Sequence, residues 1–357
     1  MNTMLDKTEL LGLNRLELED YMASLGQPRF RGRQLHRWIY IKDTSSFYEM
    51  SDIPREIRQQ LDEKARISIP RVLKQRVSED GTRKFLMEMN DKKKVETVLI
   101  PQEENPGRRY TLCVSSQVGC PLRCAFCATG QGIYQRNLAA HEIVGQVLGS
   151  RRELKRRLKN YQEPLLTNVV YMGMGEPLLN YDEVIRSIHI INDPRGIQIG
   201  QRHITISTCG EARGILRLAE EGLQVTLAIS LHACNDALRD QLVPINKRYP
   251  LKDLMSAVKT YVDKTGRRVT FEYIMLDGVN IGQTDAENMA KLVKPILANV
   301  NLILYNEVDG LPYRRPDLHR VKQFYGWLSE AGLNVSIRQE HGSDIEAACG
   351  QLAVKRD

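Results

Sequence analysis

The feature that most constrains this chain is a group of three cysteines, Cys120, Cys124 and Cys127, separated by three and then two residues. Zinc sites usually take four Cys or His ligands, whereas cysteine runs with gaps of two and three residues are typical of iron–sulfur clusters. No fourth ligand stands beside the three, so a [4Fe–4S] cluster held here would keep one iron open for a substrate or cofactor. A zinc knuckle and three unrelated core cysteines are the alternatives.

Length and charge limit the classes of protein to be considered. A chain of 357 residues is long enough for one large α/β domain and a small second one. Lys and Arg number 51 against 44 Asp and Glu, and this net charge of +7 favours a polyanionic partner. The N-terminus lacks an apolar signal segment and no run of 18 apolar residues occurs, so we expect a cytoplasmic protein without a membrane span.

Residues 1–70 are predicted to form a small helical domain. Asn14 is placed to cap a helix that stops at Gly26, a second helix covers Arg29–Tyr40, and Pro54 suits the first turn of a third. Arginines alternate with aromatic residues in the second helix, which is consistent with an RNA-docking module. An amphipathic bundle with a charged face explains the same pattern.

Residues 71–105 are predicted to be a β meander that joins this domain to the rest of the chain. The apolar runs at 72–77, 85–89 and 95–100 have strand character, and Asp80-Gly81 and Asn90-Asp91 have turn character. Glu96 lies among β-branched residues in the third run. Its carboxylate either faces water or serves as a general base.

Residues 106–357 alternate between strand and helix patterns, which predicts a parallel sheet with right-handed crossovers. Six or seven such units are too few for a closed eight-fold barrel, so we expect an α/β fold of the partial TIM type, a (β/α)6 barrel. Chemistry in such barrels lies at the carboxyl ends of the strands. The three cysteines follow the first strand and should lie at that face.

Several polar residues also follow predicted strands and should surround the same face. Gly175 and Glu176 follow the second strand; glycine allows a ligand close to the backbone, and a carboxylate there can accept hydrogen bonds from an ammonium group. Short polar side chains end three further strands: Ser207, Ser230 with His232, and Asn306. Each of them alone is also explained as an ordinary polar loop residue.

The remaining cysteines divide into two kinds. Cys349 lies in a loop of small residues flanked by Gly350, which indicates a thiol presented for reaction rather than a core residue. Cys113 ends the strand before the three-cysteine motif and could meet Cys349 across the barrel mouth. Cys209 and Cys234 lack such a context, and we interpret them as incidental. Seven cysteines, an odd number, also argue against a secreted disulfide framework.

The three-cysteine motif resembles that of radical S-adenosylmethionine (SAM) enzymes, and further segments narrow the resemblance to the RlmN family. These segments are Val95-Glu-Thr-Val98, Cys113-Val-Ser-Ser-Gln-Val-Gly-Cys120, Gly173-Met-Gly-Glu-Pro-Leu-Leu-Asn180, Ser230-Leu-His232, Val243-Pro-Ile-Asn-Lys247 and Ala347-Ala-Cys349-Gly-Gln-Leu352. The resemblance extends over nearly the whole chain. It implies a radical SAM methyltransferase that modifies C2 of an adenine in 23S rRNA, at the peptidyl transferase centre, and of the adenine 3′ of the anticodon in tRNA.

The resemblance also implies roles for individual residues. Cys120, Cys124 and Cys127 would hold one [4Fe–4S] cluster. SAM, two molecules per turnover, would contact Gly175, Glu176, Ser207, Ser230, Leu231, His232 and Asn306. Cys349 would become S-methylated and carry the carbon to the adenine, Glu96 would accept the C2 proton, and Cys113 would release the product by forming a transient disulfide with Cys349. The adenine would have to leave its stack.

Two other functions stay open at this point. A Cfr-like enzyme would use the same cysteines to methylate C8 of adenine, although Gln117-Val-Gly-Cys120 and Gly175-Glu-Pro-Leu-Leu179 are more similar to RlmN. A noncatalytic iron–sulfur protein that binds RNA would need neither Cys349 nor Cys113. The resemblance further implies a monomer that receives electrons from a donor such as flavodoxin or ferredoxin.

Overall fold

The computed structural model describes residues 7–102, 109–157 and 166–354. Its N-terminal part consists of three helices between two short strands that pair in parallel: β1 (Thr8–Glu9), α1 (Arg15–Ser24), α2 (Phe30–Tyr40), α3 (Arg55–Lys64) and β2 (Ala65–Arg66). Asn14 caps α1 as expected, because its side chain accepts a hydrogen bond from the Glu17 amide while the Glu17 carboxylate accepts one from the Asn14 amide. The three predicted helices are therefore present.

Helices α1 and α2 approach each other closely at Gly32. A Cβ atom at this position would lie 2.4 Å from both Cα and N of Glu19, so only glycine allows the two backbones to meet. The apolar side chains that flank the crossing are fully buried: Leu18, Met22, Leu35 and Ile39. The core of this small unit thus depends on one backbone contact and the four side chains around it.

Three antiparallel strands follow the helices: β3 (Arg71–Val77), β4 (Arg83–Glu88) and β5 (Lys94–Pro101). These are the strands of the predicted meander. β5 also pairs antiparallel with β6 (Tyr110–Cys113), so the meander continues the main sheet instead of standing apart from it. This arrangement brings the turn between β3 and β4 next to the C-terminal segment of the chain.

The remainder of the chain alternates strands with helices. Its elements, in chain order, are β7 (Gln117–Val118), α4 (Ala128–Gln131), β8 (Arg136–Asn137), α5 (Ala140–Arg157), β9 (Leu166–Tyr171), α6 (Tyr181–Asn192), β10 (Ile204–Thr208), α7 (Ala212–Glu220), β11 (Thr226–Ser230), α8 (Asp236–Leu242), α9 (Leu251–Thr265), β12 (Val269–Met275), α10 (Gln283–Val293), β13 (Ala298–Leu304), α11 (Leu318–Glu330) and β14 (Val335–Ile337).

All main strands belong to one sheet of ten, in the order β14-β13-β12-β11-β10-β9-β6-β5-β4-β3. Seven strands of this sheet run parallel to one another: β6, β9, β10, β11, β12, β13 and β14. Each of the first six is followed by a helix before the next of these strands begins. Among the described residues no pairing joins β14 to β3, so the sheet stays open. The expected partial barrel of six strand–helix units is confirmed, with β14 as an added edge strand.

Two details differ from the sequence-based expectation. The helix expected to extend to Leu297 ends at Val293, and β13 begins at Ala298, because Val300 and Leu302 alternate with polar residues at the period of a strand. The basic segment expected on an outer face instead contacts the N-terminal unit: Lys155 lies 2.8 Å and Arg151 3.5 Å from the carboxylate of Asp43. The rest of this segment, from residue 158, lies outside the described residues.

No helix in the described ranges combines the length and the apolar character needed to cross a bilayer. The N-terminal unit is joined to the barrel by a second buried contact, in which His36 Nε2 lies 3.0 Å from a carboxylate oxygen of Asp193. Burial lowers the pKa of His36, and the adjacent Asp193 opposes that shift. Specific polar contacts therefore fix the position of the unit on the barrel.

The close contact at Gly32 generates a prediction about stability. Gly32→Ala should destabilise the N-terminal unit by about 3 kcal/mol, since the added methyl group overlaps the α1 backbone. The matched control is Gly326→Ala in α11, where no atom outside the helix lies within 4 Å of the new methyl group. That variant should gain about 1 kcal/mol, because alanine favours the helix. Thermal unfolding of both variants tests this; equal melting temperatures would contradict it.

Candidate active site

A cleft with an empty volume of about 850 Å³ opens at the carboxyl ends of the parallel strands. Most residues expected at this face line it: Cys120, Cys124, Cys127, Gly175, Glu176, Ser207, Ser230 and His232. We refer to it as the large cleft. Because parallel strands all present their carboxyl ends on one side, residues from distant parts of the chain meet here.

The three motif cysteines stand on the loop between β7 and α4. The amide of Cys127 donates to the carbonyl of Cys124 at 3.2 Å, and the amide of Ala128 donates to the carbonyl of Gly350 at 2.7 Å, so the loop is held both internally and by the C-terminal segment. Burial raises the pKa values of the Cys120 and Cys127 thiols. A bound metal cation would reverse this effect, because it stabilises the thiolate.

The described residues contain no three ligating side chains as close together as the ligands of a single ion. The fit to an iron–sulfur cluster instead rests on three thiols that share one loop and one cleft, and on the preference of such clusters for cysteine thiolates. No other ligand type is needed on this loop. The residues present therefore fit a cluster with three protein ligands.

Glu176 is a buried carboxylate held by two backbone amides. Its oxygens accept hydrogen bonds from N of Leu178 at 3.1 Å and from N of Cys209 at 2.8 Å. Gly175 brings it there with a φ of +106°, a value that side chains rarely tolerate. Burial raises the pKa of Glu176 to about 7. A cation that entered the cleft beside it would favour the ionised form.

His232 is a neutral side chain at the edge of the large cleft. Its Nδ1 accepts a hydrogen bond from N of Ile274 at 3.0 Å, so the ring proton resides on Nε2. Burial, together with the charge of Arg239, lowers the pKa of His232 to about 3. The expected neighbour Leu231 behaves differently: its side chain is fully buried and is not part of the cleft lining.

A second cavity, with an empty volume of about 570 Å³, adjoins the large cleft. Cys113 and Asn306 line this second cavity, so Asn306 does not share the large cleft with the other residues expected to contact SAM. Cys349 lines both spaces, and so does Arg338. The structure thus brings Cys349 and Cys113 to one cavity, with Cys349 at the boundary with the large cleft.

Arg338 is a charged residue that the sequence analysis missed. It follows the edge strand β14, and its guanidinium donates to Sδ of Met172 at 3.5 Å and lies 3.8 Å from Oε2 of Glu272. A thiolate at Cys349 is the main influence that raises the pKa of Arg338, and Glu272 and Cys113 act in the same direction. Arg338 therefore places a positive charge close to the two cysteines.

Glu272 was missed as well, although a charged residue between Phe271 and Tyr273 in a buried strand is a visible signal. Its Oε1 accepts a hydrogen bond from Asn301 at 3.2 Å, whereas its Oε2 has no hydrogen-bond partner in the described part of the protein. Burial raises the pKa of Glu272, and Arg338 opposes the shift. The large cleft thus contains two buried carboxylates, Glu176 and Glu272.

Cys209 requires a correction. We interpreted it as incidental because it lacked a motif context, but its thiol lines the large cleft with Sγ 3.8 Å from Sγ of Cys124. Its position directly after β10, at a strand end like those of the residues singled out above, was the signal that could have identified it. Cys234 is buried and lies outside both cavity linings, in line with the first interpretation.

Glu96 lines neither cavity. Its Oε1 lies 3.1 Å from Nζ of Lys84, and its Oε2 accepts a hydrogen bond from N of Ala353 at 2.9 Å. Burial raises the pKa of Glu96 despite the nearby Lys84. Lys84 also donates to the carbonyl of Glu346 at 2.9 Å. Glu96 therefore anchors the segment that carries Cys349.

The turn between β3 and β4 contacts the segment that carries Cys349 at residues before this cysteine. Ser78 donates to the carboxylate of Asp344 at 2.6 Å, and the amide of Gly342 donates to the carboxylate of Asp80 at 3.1 Å. On the opposite side, Thr129 next to the cysteine loop donates to the carbonyl of Leu352 at 2.5 Å. The loop with Cys349 is thus fixed between the meander and the three-cysteine loop.

Similarity to known proteins agrees with this site. Residues 8–67 match the family described as "Ribosomal RNA large subunit methyltransferase N-terminal domain", and residues 114–292 match the Radical SAM superfamily. A probable dual-specificity RNA methyltransferase RlmN from Syntrophomonas wolfei is 62% identical over 99% of this chain and 98% of its own length. The dual-specificity RNA methyltransferase RlmN of Alcanivorax borkumensis is 44% identical over 98% of this chain and 91% of its own.

A solved structure shows the same fold. The crystal structure of a radical SAM methyltransferase from Sphaerobacter thermophilus superimposes with a TM-score of 0.91 and 41% sequence identity. The superposition covers 97% of this chain and 99% of that one. The similarity therefore includes the N-terminal unit and the barrel together.

The contacts of Lys84 generate a prediction about the segment that carries Cys349. Lys84→Met should leave the Glu96 carboxylate buried without its cation, a loss of about 3 kcal/mol or more for such pairs. Hydrogen exchange of residues 342–353 should then accelerate on the order of 100-fold. The matched control is Lys93→Met, in an exposed turn of the same meander, which should exchange like the native protein. Unchanged exchange in Lys84→Met would refute the anchoring role.

Proposed function

Because the chain belongs to the RlmN family of radical SAM RNA methyltransferases, we propose that it methylates C2 of one adenine in 23S rRNA and of the adenine 3′ of the anticodon in tRNA. The observation that carries the proposal is the position of Cys349 between two spaces. One of them contains the motif cysteines and the other contains Cys113. A cysteine that carries a carbon atom from SAM to an adenine must be able to contact both molecules. The position of Cys349 between the two spaces would allow this.

The superfamily implies a [4Fe–4S] cluster and SAM as cofactors. Cys120, Cys124 and Cys127 would hold the cluster. When bound, the cluster supplies an electron, and SAM supplies a methyl group and a carbon radical, which C2 of adenine requires because this electron-poor carbon does not attack a sulfonium methyl group. Glu176 suits the SAM ammonium group, since its buried carboxylate gains a cation there.

The other residues expected to contact SAM differ in how well their positions support that role. Ser207, Ser230 and His232 line the large cleft with Glu176 and Gly175, and His232 offers an Nε2–H donor. Leu231 would contribute through its backbone, because its side chain lies in the core. Asn306 lines the second cavity, so we propose that it contacts the adenine or the distal part of SAM. Two SAM molecules per turnover are part of the proposal.

Cys349 would accept a methyl group on its sulfur and release its thiol proton. One hydrogen atom of this methyl group would leave with 5′-deoxyadenosine, and the carbon would become bonded to C2 of the adenine as the C2 proton and one electron leave the ring. Cys113 would attack Sγ of Cys349, which forms a disulfide and breaks the bond between that sulfur and the RNA-bound carbon. The electron pair of the broken bond stays on the carbon, which takes up a proton and becomes the methyl group. A two-electron reductant would restore both thiols.

We propose Glu96 as the acceptor of the C2 proton. The contacts of its carboxylate oxygens limit how it could accept that proton. Its raised pKa suits a group that takes up a proton, but both oxygens are occupied by Lys84 and the amide of Ala353. Proton transfer through Glu96 would therefore require a shift of the C-terminal segment. Its contacts support anchoring more directly than catalysis.

The RNA partner is supported by the N-terminal unit. The side chains of Arg29 and Arg33 form ion pairs with Glu19 and are still about half exposed, at 53% and 52%. Such side chains can contact phosphate groups without a change of fold. We further propose a cytoplasmic monomer that is reduced by a donor such as flavodoxin or ferredoxin.

The reaction is tested with SAM that carries a trideuterated methyl group. Anaerobic incubation of the reconstituted protein with reductant and a 23S rRNA fragment or tRNA should give 2-methyladenosine that retains two of the three deuterium atoms, since one leaves with 5′-deoxyadenosine. Mass spectrometry of the nucleosides measures this. An 8-methyl product would indicate the Cfr-like reaction instead. Absence of methylation with an intact cluster would refute the proposed substrate.

The roles of the two cysteines are tested by a pair of variants. Cys113→Ala should trap RNA covalently on Cys349, because the resolving thiol is absent, and a denaturing gel followed by peptide mass spectrometry would detect the adduct. Cys349→Ala should lose methylation but retain the cluster absorption. Cys234→Ala, which removes a buried thiol outside both cavities, is the control and should behave like the native enzyme. Methylation by Cys349→Ala would favour a noncatalytic role for this loop.

A further inference from the structure

Cys209 is a fourth thiol beside the three motif cysteines. It lines the large cleft, and its Sγ lies 3.8 Å from Sγ of Cys124, within hydrogen-bonding distance for sulfur. The two residues are separated by 85 positions in the sequence, so the contact exists only in the folded barrel. None of the roles considered above includes Cys209.

The backbone of Cys209 is fixed on both sides. Its amide donates to Oε2 of Glu176 at 2.8 Å, and its carbonyl accepts a hydrogen bond from Nη2 of Arg239 at 2.7 Å. Arg239 is fully buried and also donates to the carbonyl of Leu231 at 3.0 Å. The thiol is therefore held next to Cys124 by a rigid arrangement of buried polar groups.

The ligand role proposed for Cys124 determines which of the two sulfur atoms donates the hydrogen bond. A cysteine that ligates iron does so as a thiolate, which has no proton and can only accept. Cys209 is not one of the three motif ligands, so its S–H is the donor available across the 3.8 Å that separates the two sulfur atoms. Hydrogen bonds to cluster sulfurs are among the factors that set the reduction potential of iron–sulfur clusters.

We propose that Cys209 is a positioning residue of the cluster site, whose S–H donates to the Cys124 thiolate and raises the reduction potential of the cluster. The donor acts in this way because reduction adds negative charge, which a hydrogen bond to a ligand sulfur stabilises more in the reduced form. This inference rests on the cluster of the proposed function and is independent of the RNA substrate. Loss of RNA methylation alone would leave it unaffected.

The test compares Cys209→Ala, Cys209→Ser and the native full-length protein, each reconstituted anaerobically in the presence of SAM. The midpoint potential of the cluster is measured by a redox titration followed by electron paramagnetic resonance. Cys209→Ala should shift the reduction equilibrium on the order of tenfold toward the oxidised cluster, which is about 59 mV for a one-electron couple. Cys209→Ser keeps an O–H donor and should lie between the native protein and Cys209→Ala.

A second readout is specific for the proton. After exchange into D₂O, pulsed resonance methods should detect an exchangeable deuteron coupled to the reduced cluster in the native protein, and this signal should weaken in Cys209→Ala. The control is Cys234→Ala, which removes another buried thiol outside the cleft. It should change neither the potential nor the deuteron signal. If the loss of a buried side chain were the cause, Cys209→Ala and Cys234→Ala would change the potential and the deuteron signal alike.

Two results would overturn the inference. An unchanged potential in Cys209→Ala, with the same iron content as the native protein, would show that the contact does not influence the cluster. Iron spectroscopy of the SAM-free protein that identified Cys209 as a fourth ligand would assign it a different role, because a ligand cannot also donate an S–H. If Cys209→Ala fails to assemble the cluster, Cys209→Ser decides: a potential below the native value supports the inference, and an unchanged potential overturns it.

Discussion

The arrangement of the active site depends on one buried ion pair, Lys84 with Glu96. Two charges removed from water cost several kcal/mol each unless other groups compensate them. Here the compensation comes from the C-terminal segment, because Ala353 donates its amide to Glu96 and Glu346 offers its carbonyl to Lys84. The pair is therefore satisfied only when this segment is in place. Its main effect is to specify the position of Cys349.

The large cleft contains buried charges of both signs. Glu176 and Glu272 are buried carboxylates with raised pKa values, and each gains stability in its ionised form when a cation comes near. Arg338 carries the opposite charge and lies toward Cys349. A ligand with an ammonium and a sulfonium group, such as SAM, is thus favoured on the carboxylate side.

The sequence was sufficient to predict the fold and to predict that most of the polar residues after the parallel strands lie together. Parallel strands share one direction, so the polar residues after β9, β10 and β11 had to meet, and the three-cysteine spacing indicated a loop suited to a cluster. It was not sufficient for contacts between distant segments. Glu96 and Ala353 are 257 residues apart, and neither position has a local pattern that reveals the contact. For the same reason the sequence did not reveal the contacts of Arg338 with Met172 and Glu272, whereas Cys209 had a local signal in its position directly after β10.

The surroundings of Cys113 and Cys349 explain why the two could take different roles. Cys113 ends β6 inside the protein, and burial raises its pKa to about 12, so it is a thiol at neutral pH and a poor nucleophile. Cys349 lies half-buried in a loop that borders the large cleft, and Arg338 lines the same cleft. A methyl donor in that cleft would therefore meet Cys349 first. Cys113 lines the second cavity with Cys349 and Arg338, and the charge of Arg338 only partly offsets the burial that raises the pKa of Cys113. The proposed order of the two cysteines is therefore consistent with where the sheet and the C-terminal segment place them.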